Sequence, residues 1–433
     1  MEQIQKEKGE LRKLRSGFTT GTCAAVAVRA AVKGLFDSKI PEVCEIMTPA
    51  GVMARMEIKD RYRARGYARC GVIKDAGDDP DVTNGTWVGA AVYIKDTEEI
   101  NFEQKKMQVM QHGYEEQDQN LWIGILGGDG IGRVTKKGLS CPLDHAAINP
   151  VPRKMIFQAA KDSLKECKGT EDRQGRKWDN TNIDENSTKE NRMELILEIM
   201  IPKGKELADQ TFNPHLGIEG GISVLGSSGV VEPMSEAALQ ATIDLELHMQ
   251  AVQGERFIIL TPGNYGERFI QEDLGLTLEQ SVKCSNFIGD SIKKAAEEGF
   301  LGVLLIGHIG KCIKVSLGVM NTHSKYGDRR TEGFLCALDA VKNEIGSEQY
   351  QYVRKQIESA NTSEEAVEYL KKAGVLKRVM QEVMERIQKE CLVVCGNTIQ
   401  IEAVTFSSQM GLLGKTAGAD AMADKIRMRG VKL

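Results

Sequence analysis

The stretch RFIILTPGNYGERF, residues 256–269, joins a short apolar run to a glycine-containing loop and then to a more polar segment. This order predicts a buried strand over residues 256–260, a loop over 261–266 and a helix over 267–274. The stretch LGVLLIGHIGK, residues 301–311, again places a glycine-containing loop after an apolar run. Because strands that alternate with helices build parallel sheets, we expect an α/β domain with a mostly parallel, Rossmann-like sheet over residues 251–433.

The preceding half of the chain shows a different pattern. The string SGFTTGT, residues 16–22, leads into an alanine- and valine-rich segment that predicts a closely packed helix, and residues 43–58 and 67–75 alternate polar and apolar side chains as strands do. We therefore expect an α+β domain over residues 1–250. Within it, residues 162–191 are polar and charged, and we interpret them as an exposed insertion without a chemical role.

The composition limits the classes of function. A chain of 433 residues favours two domains, and a net charge of −4 argues against binding nucleic acid through bulk positive charge. No apolar run is long enough to span a membrane, and residues 1–15 lack the apolar core of a secretory signal. The ten cysteines include no C-x-x-C pair, so neither a disulfide framework nor a zinc site is expected. These features predict a cytoplasmic protein with a small-molecule ligand.

The two loops of the predicted parallel sheet are candidate ligand-binding sites, because such sheets bind ligands at the carboxyl ends of their strands. Glycines there let backbone N–H groups approach an anion at a helix N-terminus. The candidate residues are Thr261, Gly263, Asn264, Tyr265, Gly266, Gly307 and Gly310. Ordinary βα turns would show the same pattern. Neither loop is G-x-G-x-x-G, and the GKT at 414–416 lacks the earlier glycine of a Walker A loop, which disfavours a nucleotide-dependent kinase or reductase.

The string MNTHSKYGDRR, residues 320–330, is the densest polar cluster in the chain. Lys325, Arg329 and Arg330 are candidates for binding carboxylates, since arginine forks bind them bidentately. His323 is the first candidate for a general base, and His308 is the second. A solvated surface turn is the alternative interpretation.

The string GDDPD, residues 77–81, groups three carboxylates. Asp78, Asp79 and Asp81 could hold Mg²⁺ or Ca²⁺, but an aspartate-rich turn is the commoner explanation, so no residue is assigned as a metal ligand.

Taken together, long strings throughout the chain closely resemble those of the CbiD family, the cobalt-precorrin-5B C(1)-methyltransferases. The strings are LRSGFTTGTCAAVAVRAA (14–31), GDDPDVTNG (77–85), GGDGIGRVTKKGL (127–139), AINPVPRKMI (147–156), FNPHLGIEGGISVLGSSGVVEPMSE (212–236), TPGNYG (261–266), NFIGD (286–290), GHIGK (307–311) and MNTHSKYGDRR (320–330). The polar stretch 162–191 is longer than the family pattern.

The resemblance implies transfer of a methyl group from S-adenosylmethionine to carbon 1 of cobalt-precorrin-5B in anaerobic vitamin B12 biosynthesis, with cobalt present only in the corrinoid substrate. On this view the two loops bind the donor, and the basic residues of 320–330 bind the carboxylate side arms of the ring. Thr19 and Thr20 are further candidates for substrate binding. A non-catalytic carrier of the corrinoid intermediate is the alternative function, and the pattern leaves a homo-oligomer open.

Overall fold

The small-residue string after Thr19 forms a helix, Thr20–Phe36, in which every residue except Arg29 and Lys33 is buried. The side chain of Thr19 caps this helix by accepting the backbone N–H of Thr22. Because most of its buried side chains are small, the helix packs closely along a second helix, Pro150–Glu166. Glu166 there forms ion pairs with both of these half-buried cations, Arg29 and Lys33.

The computed structural model describes residues 14–37, 39–95, 97, 100–118, 120–167 and 192–430. The chain forms two compact units that divide between Ser235 and Glu236. Most of the predicted polar insertion 162–191 lies outside the described residues, although residues 162–166 continue the helix Pro150–Glu166.

The first unit is built on a six-stranded sheet. Its helices are α1 (Thr20–Phe36), α2 (Phe102–His112), α3 (Pro150–Glu166) and α4 (Gly204–Ala208). Its strands are β1 (Gly17–Phe18), β2 (Val43–Met47), β3 (Met53–Glu57), β4 (Lys59–Ala64), β5 (Tyr67–Ile73), β6 (Trp87–Ile94), β7 (Tyr114–Gln117), β8 (Leu121–Gly127), β9 (Arg133–Val134), β10 (Met193–Met200), β11 (Ile218–Glu219) and β12 (Val230–Val231). The sheet order is β4-β5-β6-β10-β8-β7, antiparallel except where β10 runs parallel to β8.

The two faces of this sheet bury different helices. On β6, Val88, Ala90 and Val92 join the core that holds α1 and α3, whereas Ala91 and Tyr93 join the cluster that holds α2. This alternation is the period-two pattern of a strand buried on both faces. Helices on an antiparallel-rich sheet make this unit α+β.

The second unit has helices on both faces of a mostly parallel sheet. Its helices are α5 (Glu236–Val252), α6 (Asn264–Glu272), α7 (Ile288–Glu297), α8 (Ile309–Val315), α9 (Arg330–Ala340), α10 (Ser347–Ser359), α11 (Ser363–Lys372), α12 (Leu376–Val394) and α13 (Ala419–Gly430). Its strands are β13 (Phe257–Thr261), β14 (Ser281–Lys283), β15 (Gly302–His308), β16 (Gln400–Ser407) and β17 (Gly411–Lys415). In the order β14-β13-β15-β16-β17, only β17 is antiparallel to its neighbour.

Alternate residues of the central strand β15 face opposite cores. Val303 and Leu305 pack in the cluster that holds α7 to α12, and Leu304 and Ile306 pack in the one that holds α6 and α13. The predicted α/β class with a mostly parallel C-terminal sheet is confirmed. The helix α5 contacts α7 and β14, so by its contacts it belongs to the second unit, whereas the predicted boundary at 250/251 puts most of it in the first domain.

Two predicted elements differ from the structure. The helix expected over 267–274 begins at Asn264, within the predicted loop. The apolar run LVVC also predicts a strand over residues 392–395, but residues 392–394 form the last turn of α12 and Cys395 caps it.

Candidate active site

The carboxyl ends of β13 and β15 lie side by side, because these two strands are parallel neighbours. The loop that follows Thr261 therefore lies next to the loop that begins at Gly307, as the sequence predicts. The ring of Tyr265 in the first loop lies 6.1 Å from the His308 ring in the second, measured between centroids. Strands β14 and β16 run in the same direction, so the segments after Lys283 and Ser407 reach the same edge.

Both ring nitrogens of His308 are engaged. Its Nδ1 accepts the backbone N–H of Gly310 at 3.1 Å, and its Nε2 lies 2.9 Å from Oε1 of Glu364. Since Nδ1 accepts a hydrogen bond, the neutral ring carries its proton on Nε2 and donates it to the carboxylate. The same carboxylate oxygen accepts the N–H of Ser408 at 3.0 Å. Through these two bonds, Glu364 connects the N-terminus of α11 with the end of β15 and with the segment after β16.

Two polar atoms beside this histidine are buried and have no hydrogen-bond partner among the described residues. They are Oε2 of Glu364 and Oγ of Ser363, at the start of α11. A Cβ placed on Gly310 would lie 3.6 Å from Oγ of Ser363, so the hydroxyl borders the loop after β15. Buried polar atoms in proteins are normally hydrogen-bonded, and a ligand at this edge would supply the missing partners. A carboxylate oxygen in this position suits a cationic ligand group.

The loop glycines serve the backbone in three ways. Gly263 has a φ of 111°, a conformation that favours glycine, and it caps α6. Gly266 allows α6 to cross the end of β13, since a Cβ there would lie 1.7 Å from Oγ1 of Thr261. A Cβ on Gly307 would lie 2.6 Å from the sulfur of Cys312. The first-turn N–H groups of Asn264 and Tyr265 donate to none of the described residues, and they are the backbone donors available to a ligand.

The side chain of Lys311 lies between the segment after β14 and the loop after β13. Its Nζ donates to the carbonyl of Ser285 at 3.1 Å and would lie 3.7 Å from a Cβ placed on Gly263. Burial lowers the pKa of this ammonium group. Lys311 belongs to the string GHIGK, but the sequence pattern alone predicts no role for it.

The polar string 320–330 is anchored at this same edge of the sheet. The Thr322 N–H donates to the carbonyl of Asn286 at 3.0 Å, and the Gly289 N–H donates to the carbonyl of Met320 at 3.1 Å. Buried Lys314 of α8 donates to the carbonyls of Thr322 and Gly327. These bonds fix both ends of the string on the body of the unit.

Arg330 and His308 both border the N-terminus of α11. Arg330 and Asp328 line a small cavity of about 40 Å³ together with Thr362 and Ser363. His308 meets the same helix start through Glu364. Both regions predicted from the sequence therefore meet at the start of α11, a helix that no sequence pattern marked as part of the site.

The basic residues of the string pair with nearby carboxylates. Lys325 lies 2.5 Å from Glu236, and its side chain is 45% exposed. Arg329 pairs with Glu332, and Arg330 pairs with Asp328, whose pKa it lowers to about 2. Exposed ion pairs contribute about 0–1 kcal/mol, so a multiply anionic ligand can exchange for these partners at small cost.

His323 begins the short 3₁₀ turn Ser324–Tyr326. Its Nδ1 accepts the N–H of Lys325 at 3.1 Å, and its own N–H donates to Oδ1 of Asn321. The side chain is half-buried. Unlike His308, His323 shows no hydrogen bond from its Nε2 to any described residue, which leaves that nitrogen available for proton transfer.

The remaining candidates lie in the first unit and are engaged there. The Thr19 oxygen caps α1, and the Thr20 hydroxyl bonds to the backbone of Leu225; both residues are buried. Asp81 pairs with the buried Lys74 at 2.6 Å. Oδ2 of Asp78 accepts the N–H of Arg15. Among the described residues no group of three or more His, Cys, Asp or Glu is arranged to hold a metal ion.

Within the part of the chain that the structure describes, no helix has the length and apolar character needed to cross a membrane.

Comparisons with known proteins cover nearly the whole chain. The CbiD family model matches residues 6–233, and the model of the CbiD C-terminal domain matches residues 321–417. A cobalt-precorrin-5B C(1)-methyltransferase of Thermoanaerobacter sp. is 36% identical over 94% of this chain and 96% of its own length. One of Alkaliphilus metalliredigens is 34% identical over 97% of each chain.

A solved structure is also similar, the cobalamin biosynthesis protein CbiD of Archaeoglobus fulgidus. It is 22% identical, with a TM-score of 0.34, over 74% of this chain and 85% of the other. The family models and the curated relatives confirm the predicted resemblance, and the chain belongs to the CbiD family, whose curated members are cobalt-precorrin-5B C(1)-methyltransferases.

Proposed function

We propose that this chain transfers a methyl group from S-adenosylmethionine to carbon 1 of cobalt-precorrin-5B, giving cobalt-precorrin-6A and S-adenosylhomocysteine. The family and the names of its curated relatives support the reaction. The observation that supports its placement is the pair of unpartnered atoms, Oε2 of Glu364 and Oγ of Ser363, at the carboxyl edge of the parallel sheet. We also propose that the protein acts in the cytoplasm.

The donor fits the charges of this edge. S-adenosylmethionine carries a cationic sulfonium and an ammonium group, and the free oxygen of Glu364 suits either. Its carboxylate suits Lys311 and the open N–H groups of Asn264 and Tyr265. The loop residues Thr261, Gly263 and Gly266, with Gly307 and Gly310, then shape the backbone around it.

The substrate requires a different set of charges. Its side arms end in carboxylates, and the candidate cations are exposed Lys325 and half-buried Arg329 and Arg330, of which Arg330 lines the small cavity at the start of α11. We assign Thr19 and Thr20 a structural role instead of substrate binding. The Thr19 side chain caps α1, and the Thr20 hydroxyl accepts the N–H of Leu225.

The chemistry is a displacement at the methyl carbon. A bond forms between ring carbon 1 and the methyl group, and the bond from methyl to sulfur breaks with its electron pair left on sulfur. The residues mainly have to hold the three atoms in line, which accounts for a large part of the rate enhancement in such reactions. A net gain of one methylene unit requires the ring to lose one proton, and His323 is our candidate for accepting it. Both ring nitrogens of His308 are occupied, so we assign His308 to positioning Glu364.

Mass spectrometry of the corrinoid product tests the reaction directly. Purified chain, donor and cobalt-precorrin-5B should yield a ring heavier by one methylene unit, together with one equivalent of S-adenosylhomocysteine. An unchanged ring mass contradicts the proposal. Calorimetry with the donor alone distinguishes a methyltransferase from a non-catalytic carrier. A carrier would bind the corrinoid but release no heat with S-adenosylmethionine.

A further inference from the structure

The first unit contains a cavity of about 620 Å³ that the proposed reaction does not use. It lies among the end of α2, the strand β7 and the first turns of α3, the segment of the string AINPVPRKMI. Val109, Met110 and Phe157 form apolar parts of its wall, and Tyr114, Arg153 and Lys154 form polar parts. Its volume falls in the range of about 300–1,000 Å³ that small-molecule sites occupy.

Arg153 is held in a position to bind a ligand. Its guanidinium carbon lies 4.0 Å from the centroid of the Tyr114 ring, and the Tyr114 hydroxyl donates to the carbonyl of Ala146 at 2.6 Å. Stacking uses the face of a guanidinium and leaves its edge donors free. The Nε atom of Arg153 is buried and has no hydrogen-bond partner in the part of the chain that the structure describes. An unsatisfied buried donor of this kind calls for an acceptor that a ligand would bring.

Two carboxylates and two cations line the cavity, so its formal charges balance, but only the carboxylates already have hydrogen-bond partners within the described part of the protein. Its two carboxylates are already engaged, Glu116 with Lys161 at 2.6 Å and Glu115 with the indole N–H of Trp122 at 2.8 Å. Arg153 and Lys154, by contrast, form no ion pair with any described residue. His145, which also lines the cavity, donates through Nδ1 to the carbonyl of Leu143. The cavity therefore presents two unpaired cations beside an apolar wall.

We propose that this cavity binds an organic anion, with carboxylates paired to Arg153 and Lys154 and an apolar skeleton packed on Val109, Met110 and Phe157. Two sources offer that chemistry: the carboxylate arms of a tetrapyrrole ring, or a separate small aromatic or aliphatic polycarboxylate. All the residues of this site lie in the first unit. Binding there does not require the proposed methyl transfer.

Isothermal titration of the full-length protein tests this site with two probes. Uroporphyrin is a tetrapyrrole whose arms end in carboxylates, and trimesate is a small aromatic tricarboxylate. The variant Arg153→Met/Lys154→Met should weaken the binding of the recognised probe about ten-fold or more, because charge-assisted hydrogen bonds are lost. Uroporphyrin binding that the Arg153→Met/Lys154→Met variant weakens identifies a tetrapyrrole arm as the ligand of this cavity, and trimesate binding that alone is weakened identifies a small carboxylate.

The matched control is Lys203→Met/Lys205→Met, which removes two exposed cations of the first unit that do not line the cavity. It should bind both probes as the wild type does. If replacement of Arg153 lowers the unfolding temperature, Lys154→Met alone can be tested instead, because Lys154 is exposed. This single variant should weaken probe binding about three-fold.

Arg329→Ala/Arg330→Ala separates this cavity from the candidate active site. If this variant loses probe affinity while Arg153→Met/Lys154→Met retains it, the proposed cavity site is wrong and the candidate active site binds the probe. The proposal also fails if neither probe binds the wild type. Methyl transfer is measured separately, by the mass of the corrinoid product, so failure of the cavity site and failure of the proposed reaction are distinguishable.

Discussion

His308 and Glu364 act as one fixed pair: Nε2 of the imidazole lies 2.9 Å from Oε1 of the carboxylate, and the N–H of Gly310 occupies the other ring nitrogen. The pair fixes one carboxylate oxygen and leaves the other, Oε2, buried and without a partner. His308 is therefore a positioning residue in our proposal, and Glu364 is the group that meets the ligand.

Glu364→Gln tests this division of roles. The amide keeps an oxygen that can accept from His308 and Ser408 but removes the negative charge offered to a cationic donor. We expect KM for S-adenosylmethionine to rise about ten-fold or more, with a smaller change in kcat, because a charge-assisted hydrogen bond contributes about 1.5–3 kcal/mol. Steady-state kinetics at saturating corrinoid measures both values.

The control for that variant is Glu368→Gln on the same helix, where the carboxylate is exposed and pairs with Lys372. It should leave both kinetic constants unchanged. Equal donor KM values in Glu364→Gln and the wild type would show that Glu364 only joins the loops.

His323→Ala tests the candidate base. Loss of a general base lowers turnover by about 10²–10⁴-fold. The unfolding temperature should change little, since the side-chain bond lost is one exposed turn contact, the Lys325 N–H to Nδ1. His248→Ala, which removes a histidine paired with Glu298 at the C-terminal cap of α7, serves as the control and should retain activity. Wild-type turnover in His323→Ala would exclude this residue from the mechanism.

Arg329→Ala and Arg330→Ala test the binding of the side arms. Each should raise KM for cobalt-precorrin-5B about ten-fold while the donor KM stays constant. The reason is that each variant removes a guanidinium group that would leave its local carboxylate and bind a carboxylate of the substrate. Arg427→Ala, an exposed arginine of α13 paired with Asp424, is the matched control. An unchanged corrinoid KM in both variants would assign the two arginines to the surface alone.

The sequence predicted the two neighbouring loops because strand order and glycine position are local patterns. It did not predict the start of α6 at Asn264, since Gly263 at φ 111° ends the loop and Asn-Tyr-Gly, a turn-like string, continues as helix. Glu364 was missed for a different reason. It lies 56 residues from His308 and meets it only because α11 packs on α8, and its sequence, an acidic first turn, is common to many helices.

Thr19 and Thr20 show the same limit at another place. Their string is specific enough to identify the family, but the sequence does not reveal that their oxygens cap α1 and hold Leu225. A string shared within a family can preserve packing as well as chemistry, and only the hydrogen-bond partners distinguish the two.

Glu246 of α5 gives the second unit a predicted dependence of stability on pH. Burial, followed by the nearby charge of Glu267, raises the pKa of Glu246 from 4.5 to about 7, although Lys283 opposes the change. The folded state then holds this proton more tightly than the unfolded state does. The stability that protonation contributes is therefore fully present below about pH 4.5, falls as the pH rises towards 7, and is absent above that value.

Glu246→Gln should remove that dependence, because the amide resembles the protonated acid at every pH. We expect the variant to match the wild type at pH 4.5 and to exceed it by about 1–3 kcal/mol in free energy of unfolding at pH 8. Thermal or urea unfolding at both pH values measures the difference. Glu297→Gln, at an exposed position of α7, should show no such divergence. Equal stabilities of Glu246→Gln and the wild type at pH 8 would mean that Glu246 ionises in the folded protein at no cost, through solvent or Lys283, and that burial does not control it.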